Sequence, residues 1–145
     1  MSESLQALLN REIPLTNAIG IQVVSASAQH LSLCAPLENN TNHKSTAFGG
    51  SLYSVAVLTG WGLVHQLLQA HQLTGHIVIQ QSLCDFLLPV KNDLISHCQF
   101  DSASQIERFL STYQRRGRGR LKLQVTIQQE NETALHFTGH YVVHK

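Results

Sequence analysis

The chain is poor in charge. Asp, Glu, Lys and Arg make up 13% of its 145 residues, and none of the four occurs between Lys44 and Asp85. A formal net charge of +1 leaves no broad basic field, which argues against a nucleic-acid surface. So low a charge density also suggests that a second subunit covers part of the surface. Cysteine is scarce: Cys34, Cys84 and Cys98 show no CxxC spacing, and an odd count fits no closed disulfide framework. The opening MSESLQALLNREIP lacks the basic start and unbroken apolar run of a signal peptide. Together these absences point to a reducing, cytoplasmic setting. Of the nine histidines, His65 and His71 are six apart and do not share a helix face as an i, i+4 ligand pair would. No metal site and no cofactor is expected. Repeats and low-complexity linkers are missing too, so residues 1–145 read as one domain.

What the chain does have is centred on Asn39 to Leu73, NNTNHKSTAFGGSLYSVAVLTGWGLVHQLLQAHQL. A polar loop leads into Gly49-Gly50 and then into a helix running from near Ala47 or Phe48 to about Gln72. Its apolar positions, among them Leu52, Val55, Leu58, Trp61, Val64 and Leu68, go nearly all the way round, so protein or lipid must enclose it. Lipid is disfavoured because Ser51, Ser54, Thr59 and Gln66 interrupt the run and no aromatic and basic belt flanks it.

Around this helix the pattern is mostly extended. Ser4 to Ile13 has Leu5, Leu8, Leu9 and Ile13 at helical spacing, with Ser4 as N-cap and Pro14 as the stop. Ile21 to Ala26 and His30 to Pro36 form a hairpin turning near Ser27 to Gln29. His76 to Leu88, closed by Pro89, and Leu94 to Phe100 are strands. Ser104 to Arg115 reads either as a helix, with a capping box from Ser104 to Glu107, or as a strand from Ile106. Leu121 to Gln128 alternates apolar and polar residues cleanly, and Ala134 to Val143 is a last strand. The sum is an α+β domain with a fully buried central helix. A curved antiparallel sheet of five to six strands wraps it, and a single helix cannot cover so broad a sheet, so a homo-oligomer is expected.

That order is similar to the hotdog fold. Asn42, six residues before Phe48-Gly49-Gly50, resembles the Asn and His-Gly-Gly arrangement of hotdog acyl-CoA thioesterases. Phe86 to Val90 (FLLPV), Gly119-Arg120-Leu121 and Thr138 to Tyr141 (TGHY) resemble later strand signatures of the same fold. More narrowly, NHKSTAFGGSLYSVAVLTGWG resembles the thioesterase domain of the YiiD C-terminal family, over nearly the whole chain. The resemblance implies hydrolysis of an acyl-CoA or acyl-carrier-protein thioester by a dimer or tetramer. It leaves two rivals: a hotdog dehydratase or hydratase, and a non-catalytic acyl-binding module.

Thioester hydrolysis needs oxyanion donors, an oriented water and a proton acceptor. A helix start supplies unpaired N–H groups at its positive end, and Gly49 and Gly50 let a carbonyl approach them closely. The same glycines also serve close packing at a crowded helix start. Asn42 offers both donor and acceptor for a water or the substrate carbonyl, and is equally suited to a turn. His43 is a candidate base or a surface histidine, and Ser51 a candidate substrate hydrogen-bond partner. Two departures from the family pattern stand out: Phe48 replaces a histidine, and Ala56-Val57-Leu58 holds no acid where many relatives carry one. Asp85 is the carboxylate that another element or subunit would lend. Arg116, Arg118 and Arg120, with Arg115, form the one dense basic cluster, suited to the phosphates of coenzyme A, to an acidic carrier protein, or to a solvated turn.

Overall fold

The computed structural model describes residues 3–145. Two short helices, α1 (Leu5–Glu12) and α2 (Leu15–Ile19), precede the hairpin β1 (Gln22–Ala26) and β2 (His30–Ala35). A 3-10 turn at Leu37–Asn39 and the polar loop lead into α3 (Gly49–Ala70). Then follow β3 (His76–Phe86), β4 (Leu94–Gln99), α4 (Ala103–Arg116), β5 (Arg118–Gln129) and β6 (Glu132–His144). The six strands form one antiparallel sheet in the order β1-β2-β4-β5-β6-β3, with α3 along its inner face in a hotdog arrangement.

Strand alternation explains how α3 is held. Leu33, Leu121, Leu123, Val125 and Phe137 point inward and are buried against it. Polar contacts then fix its register on the sheet. Tyr141, fully buried on β6, donates its hydroxyl to the Val57 carbonyl at 2.7 Å. Thr59 of α3 meets Ser96 of β4, so two hydroxyls buried in an apolar core satisfy each other. Helix α4 has a different task. β4 pairs with β5 only along Ser96–Cys98, and α4 covers part of the edge left open, the Gln105 amide donating to the Lys122 carbonyl at 2.8 Å.

Three sequence expectations need correction. A second helix, α2, occupies Leu15–Ile19, so Pro14 both stops α1 and caps the start of another helix, which ends on left-handed Gly20. The segment from Ser104 is a helix, yet its cap is Ser102: the Ser102 hydroxyl accepts from the Gln105 amide, and the Gln105 side chain accepts from Asp101 N–H. The capping pair therefore sits two residues earlier than the Ser104–Glu107 reading. Finally, α3 is not fully enclosed. Its flank at Gly50, Tyr53, Ser54, Val57 and Trp61 is only partly covered by the chain, and Ile13 and Leu15 complete an apolar hollow of about 290 Å³ there. Among the described residues no helix is long and apolar enough to cross a membrane.

The inner end of that flank carries a titratable group. His65 is half-buried and stacks on Trp61, ring centroids 5.7 Å apart. Desolvation holds its imidazole below the ordinary value of 6.5, and desolvation with help from nearby His30 does the same to His97. In both cases the unfolded chain binds a proton before the folded chain does. Stability should thus be full above pH 6.5, decline as pH falls through 6.5, and stop declining below the folded values. Thermal melting across that window should show this fall, and His65→Gln with His97→Gln should flatten it. An undiminished slope in the double variant would assign the fall to other groups.

Candidate active site

The loop before α3 is built around Asn42. Its side-chain oxygen accepts from Lys44 N–H at 2.8 Å and from Thr46 N–H at 3.2 Å. Its amide nitrogen donates to the Thr46 hydroxyl at 2.9 Å and the Ala47 carbonyl at 3.4 Å. This is the turn use of asparagine: the side chain closes the hairpin-like loop that its own backbone begins by donating to the Thr46 carbonyl. Ser45 takes the left-handed backbone at the tip, φ 62°. Asn40, which the sequence reading passed over, anchors the base of the loop. It is buried, and its amide donates to the Ile19 and Pro36 carbonyls at 2.9 and 2.8 Å. Its only sequence signal is an asparagine beside a long apolar helix, which many loops share.

Helix α3 starts without a capping side chain. Phe48 holds the N-cap position in extended backbone and offers no side-chain acceptor. Its carbonyl receives the Ser51 and Leu52 amides, each at 3.0 Å. Among the described residues this leaves the Gly49 and Gly50 N–H groups without an acceptor, at the positive end of a 22-residue helix. Each glycine lies beside a phenyl ring. A Cβ on Gly50 would strike the Phe48 ring, while one on Gly49 would rest at 3.6 Å from the Phe86 ring. Both rings belong to exposed phenylalanines. A side chain at Gly50 therefore requires the Phe48 ring to move away from the helix start.

Next to these amides lies a cavity of about 310 Å³, lined by Asn42, Thr46, Ala47, Gly49, Leu52 and the Phe86–Val90 turn. The loop and that turn are clamped together where Ala47 N–H donates to the Val90 carbonyl at 2.8 Å. The structure thus brings Asn42 and Gly49 to one cavity, while Gly50, next on the helix, does not line it. Ser51 follows on the helix and is also outside the cavity. His43 is exposed, has no hydrogen-bond partner among the described residues and does not line it either. Asp85 is opposite His136 on β6, while its neighbour Phe86 faces Gly49. Strand alternation therefore turns the Asp85 carboxylate to the other face of the sheet. Among the described residues no ionisable side chain lines this cavity. The cysteines lend none, for burial raises all three thiols, Cys98 to about 12.

The arginine cluster lies elsewhere. Arg116, Arg118 and Arg120 line a groove of about 580 Å³ between α4 and β5, where Arg108 and Lys122 join them and no acid does. The sequence reading missed Arg108 and Lys122 because only the packing of α4 on β5 brings them alongside. Among the described residues the ion pairs are those of Arg11 with Glu3 and Glu12, so none of the five groove cations is neutralised. Arg118 pairs with His144, and His144 with His76, at the start of β3; Phe86 is at its other end. In one chain the Arg118 end of the groove is thus a ten-residue step along a strand, ~33 Å, from the level of Phe86, while the Lys122 end, level with Gln81, is five residues away, ~17 Å.

This architecture has close counterparts. A Chlorobaculum tepidum protein of unknown function superposes with a TM-score of 0.93 at 28% identity, over 97% of this chain and 92% of its own. A Shewanella oneidensis protein described as a "putative thioesterase" is 30% identical, with a TM-score of 0.87 over 97% and 95% of the two chains. A Pseudomonas aeruginosa protein described as of unknown function and "Probable Thioesterase" shares the fold at 19% identity, with a TM-score of 0.84 over 97% and 93%. Residues 2–145 match the family described as "Putative thioesterase (yiiD_Cterm)". A match over all but one residue of the chain, joined to the hotdog arrangement, places this protein in the YiiD C-terminal thioesterase family.

Proposed function

We propose that the chain hydrolyses an acyl-CoA thioester by direct attack of water, with the Gly49 and Gly50 amides receiving the carbonyl oxygen. The observation that carries this reading is the uncapped start of α3, where two N–H groups lack a partner and one of them, that of Gly49, belongs to a residue lining a cavity of substrate scale. Water adds to the thioester carbon and the carbonyl electron pair moves to oxygen, where the two amides and the helix dipole hold the developing charge. Collapse of the tetrahedral intermediate breaks the C–S bond. The carboxylic acid and the thiol of coenzyme A leave, the proton lost by water balancing the one the thiolate gains. The hollow beside Tyr53, Val57 and Trp61 takes the acyl chain, because it is apolar and begins one turn beyond Gly50.

Asn42 enters this scheme through the loop. With both amide atoms engaged, it fixes the wall of the cavity and is a positioning residue. The active form is a dimer joined along β3, whose outer edge has no strand partner among the described residues. The proton acceptor is then a group of the second copy, since neither His43 nor Asp85 faces the cavity. The absence of an ionisable lining residue favours one other reading, an acyl-binding module without turnover. The dehydratase alternative needs a His and acid pair that the cavity does not offer.

Release of free thiol from a panel of acyl-CoAs of increasing chain length separates these readings. Steady-state release with at least one chain length is the expected result. Binding of acyl-CoA without release at any length would overturn hydrolysis and leave the binding module.

A further inference from the structure

The chemistry at the start of α3 leaves the basic groove between α4 and β5 without a task. Asp85 pairs with His136 and His136 with Thr126, so Thr126 shares the face of the sheet to which Asp85 turns. Steps of two back along β5 put Gln124, Lys122, Arg120 and Arg118 on that face as well. The glycine-pair cavity lies on the opposite face, where Phe86 meets Gly49. The cations of β5 thus turn away from the thioester site of their own chain.

Two rows of side chains line the groove. Arg108 and Arg116, with Thr112 midway, are spaced by four along one face of α4. Arg118, Arg120 and Lys122 are exposed positions of β5, with Gly119 and Leu121 buried between them. Left-handed Gly117 reverses the chain, so Arg116 and Arg118 flank one end. At the other end the Gln105 amide donates to the Lys122 carbonyl, which brings Lys122 to the first turn of α4, next to Arg108. Eight residues of helix and four of strand each measure about 12–13 Å, so the two rows match in length.

Among the described residues no acid lines the groove, and none of its five cations is in an ion pair. Like charges held around one hollow repel unless an anion joins them. The volume, about 580 Å³, is that of a small-molecule site. The charge also stops abruptly, for beyond Lys122 the same face of β5 continues as Gln124 and Thr126. A nucleic-acid strand or an anionic membrane would need cations beyond these two rows. Phe109, the aromatic ring of the groove, is buried and offers no face on which a base could stack. The groove is built for a short, dense anion.

We propose that it binds a chain of three phosphates, either inorganic tripolyphosphate or the tail of a nucleoside triphosphate. Such a chain carries about four negative charges at pH 7, the terminal phosphate alone supplying about 1.5–2. It lies between the two rows, its free oxygens accepting paired N–H groups from the arginines, with the Thr112 hydroxyl as a further donor. The site is separate from the thioester site, so it stands with or without hydrolysis.

Isothermal titration of the full chain with tripolyphosphate, with a nucleoside triphosphate and with inorganic phosphate tests this. Tripolyphosphate should bind one-to-one per chain, about tenfold or more tighter than inorganic phosphate. Equal affinity for the nucleoside triphosphate would make the phosphate chain the whole ligand; tighter binding would add the nucleoside to it. Arg108→Gln and Arg120→Gln, one from each row, should each weaken tripolyphosphate roughly tenfold. Arg115→Gln is the control, because Arg115 belongs to the same run in sequence but does not line the groove. Its loss should change the affinity by less than about threefold. All three positions are exposed, so the variants should keep the wild-type circular dichroism. Equal weakening by Arg115→Gln would reduce the groove to diffuse surface charge and overturn the site, as would the absence of saturable binding. Displacement of bound tripolyphosphate by one equivalent of acyl-CoA would give the groove to the substrate and overturn it too. Absence of thiol release with tripolyphosphate binding intact would instead sink hydrolysis alone.

Discussion

Gly50→Val should reduce turnover of acyl-CoA by about 10²- to 10³-fold, the range set by loss of one oxyanion donor. The branched side chain would stand where the substrate oxygen has to approach the Gly50 amide, and would displace the Phe48 ring that now lies against this glycine. Phe48 is 55% exposed, so its ring has solvent to move into and the fold should tolerate the change. Circular dichroism and melting temperature should stay close to wild type while kcat falls. Gly49→Ala is the internal comparison: its new methyl group would meet only the edge of the Phe86 ring, at 3.6 Å. It should keep more activity than Gly50→Val. Unchanged kcat in Gly50→Val would remove the helix start from the mechanism.

The contrast between these two glycines shows what the sequence could and could not convey. A glycine pair after a polar loop, ahead of an apolar helix, is readable as a helix start with accessible amides. How much room each glycine has depends on the Phe48 ring folding back, a rotamer choice that no pattern encodes. Asn42 was likewise readable as either a water-holding group or a turn residue, because an amide suits both. The geometry uses all of it in the turn. Strand periodicity made β5 and β6 legible to within a few residues, since their apolar residues alternate against α3. The five-residue α2 carries too few turns for a periodic signal, and Pro14 read as an end hid a beginning. The low charge of the helix region pointed to burial on every side. In fact one flank and the β3 edge are apolar and partly bare, so composition had registered a second surface alongside the core. The remoteness of Arg118 from Asn42 was invisible in sequence, because it follows from β6 pairing with both β3 and β5.

Gly60→Ala should be among the most destabilising glycine substitutions, costing about 1–5 kcal/mol. A Cβ there would meet the Tyr141 ring and hydroxyl, and Tyr141 is fully buried with its hydroxyl donated to Val57. Overpacking of a dense core costs about 1–3 kcal/mol, and breaking a buried hydrogen bond adds about 1–3 kcal/mol. The gain in helix propensity from Gly to Ala, about 1 kcal/mol, offsets part of this. Because both costs arise at one contact, the second substitution Tyr141→Phe should be worth more in the Gly60→Ala background than alone. By itself it removes a hydroxyl that bonds a helix carbonyl; after Gly60→Ala it also removes the nearest of the clashing atoms, leaving the ring carbons to shift. Urea unfolding of the four proteins in that cycle should therefore show a coupling of about 1 kcal/mol or more, in the direction of rescue. Additive effects would mean that α3 shifts as a body to admit the methyl. The glycine pair at its start would then move with it, and Gly60→Ala would lower turnover along with stability.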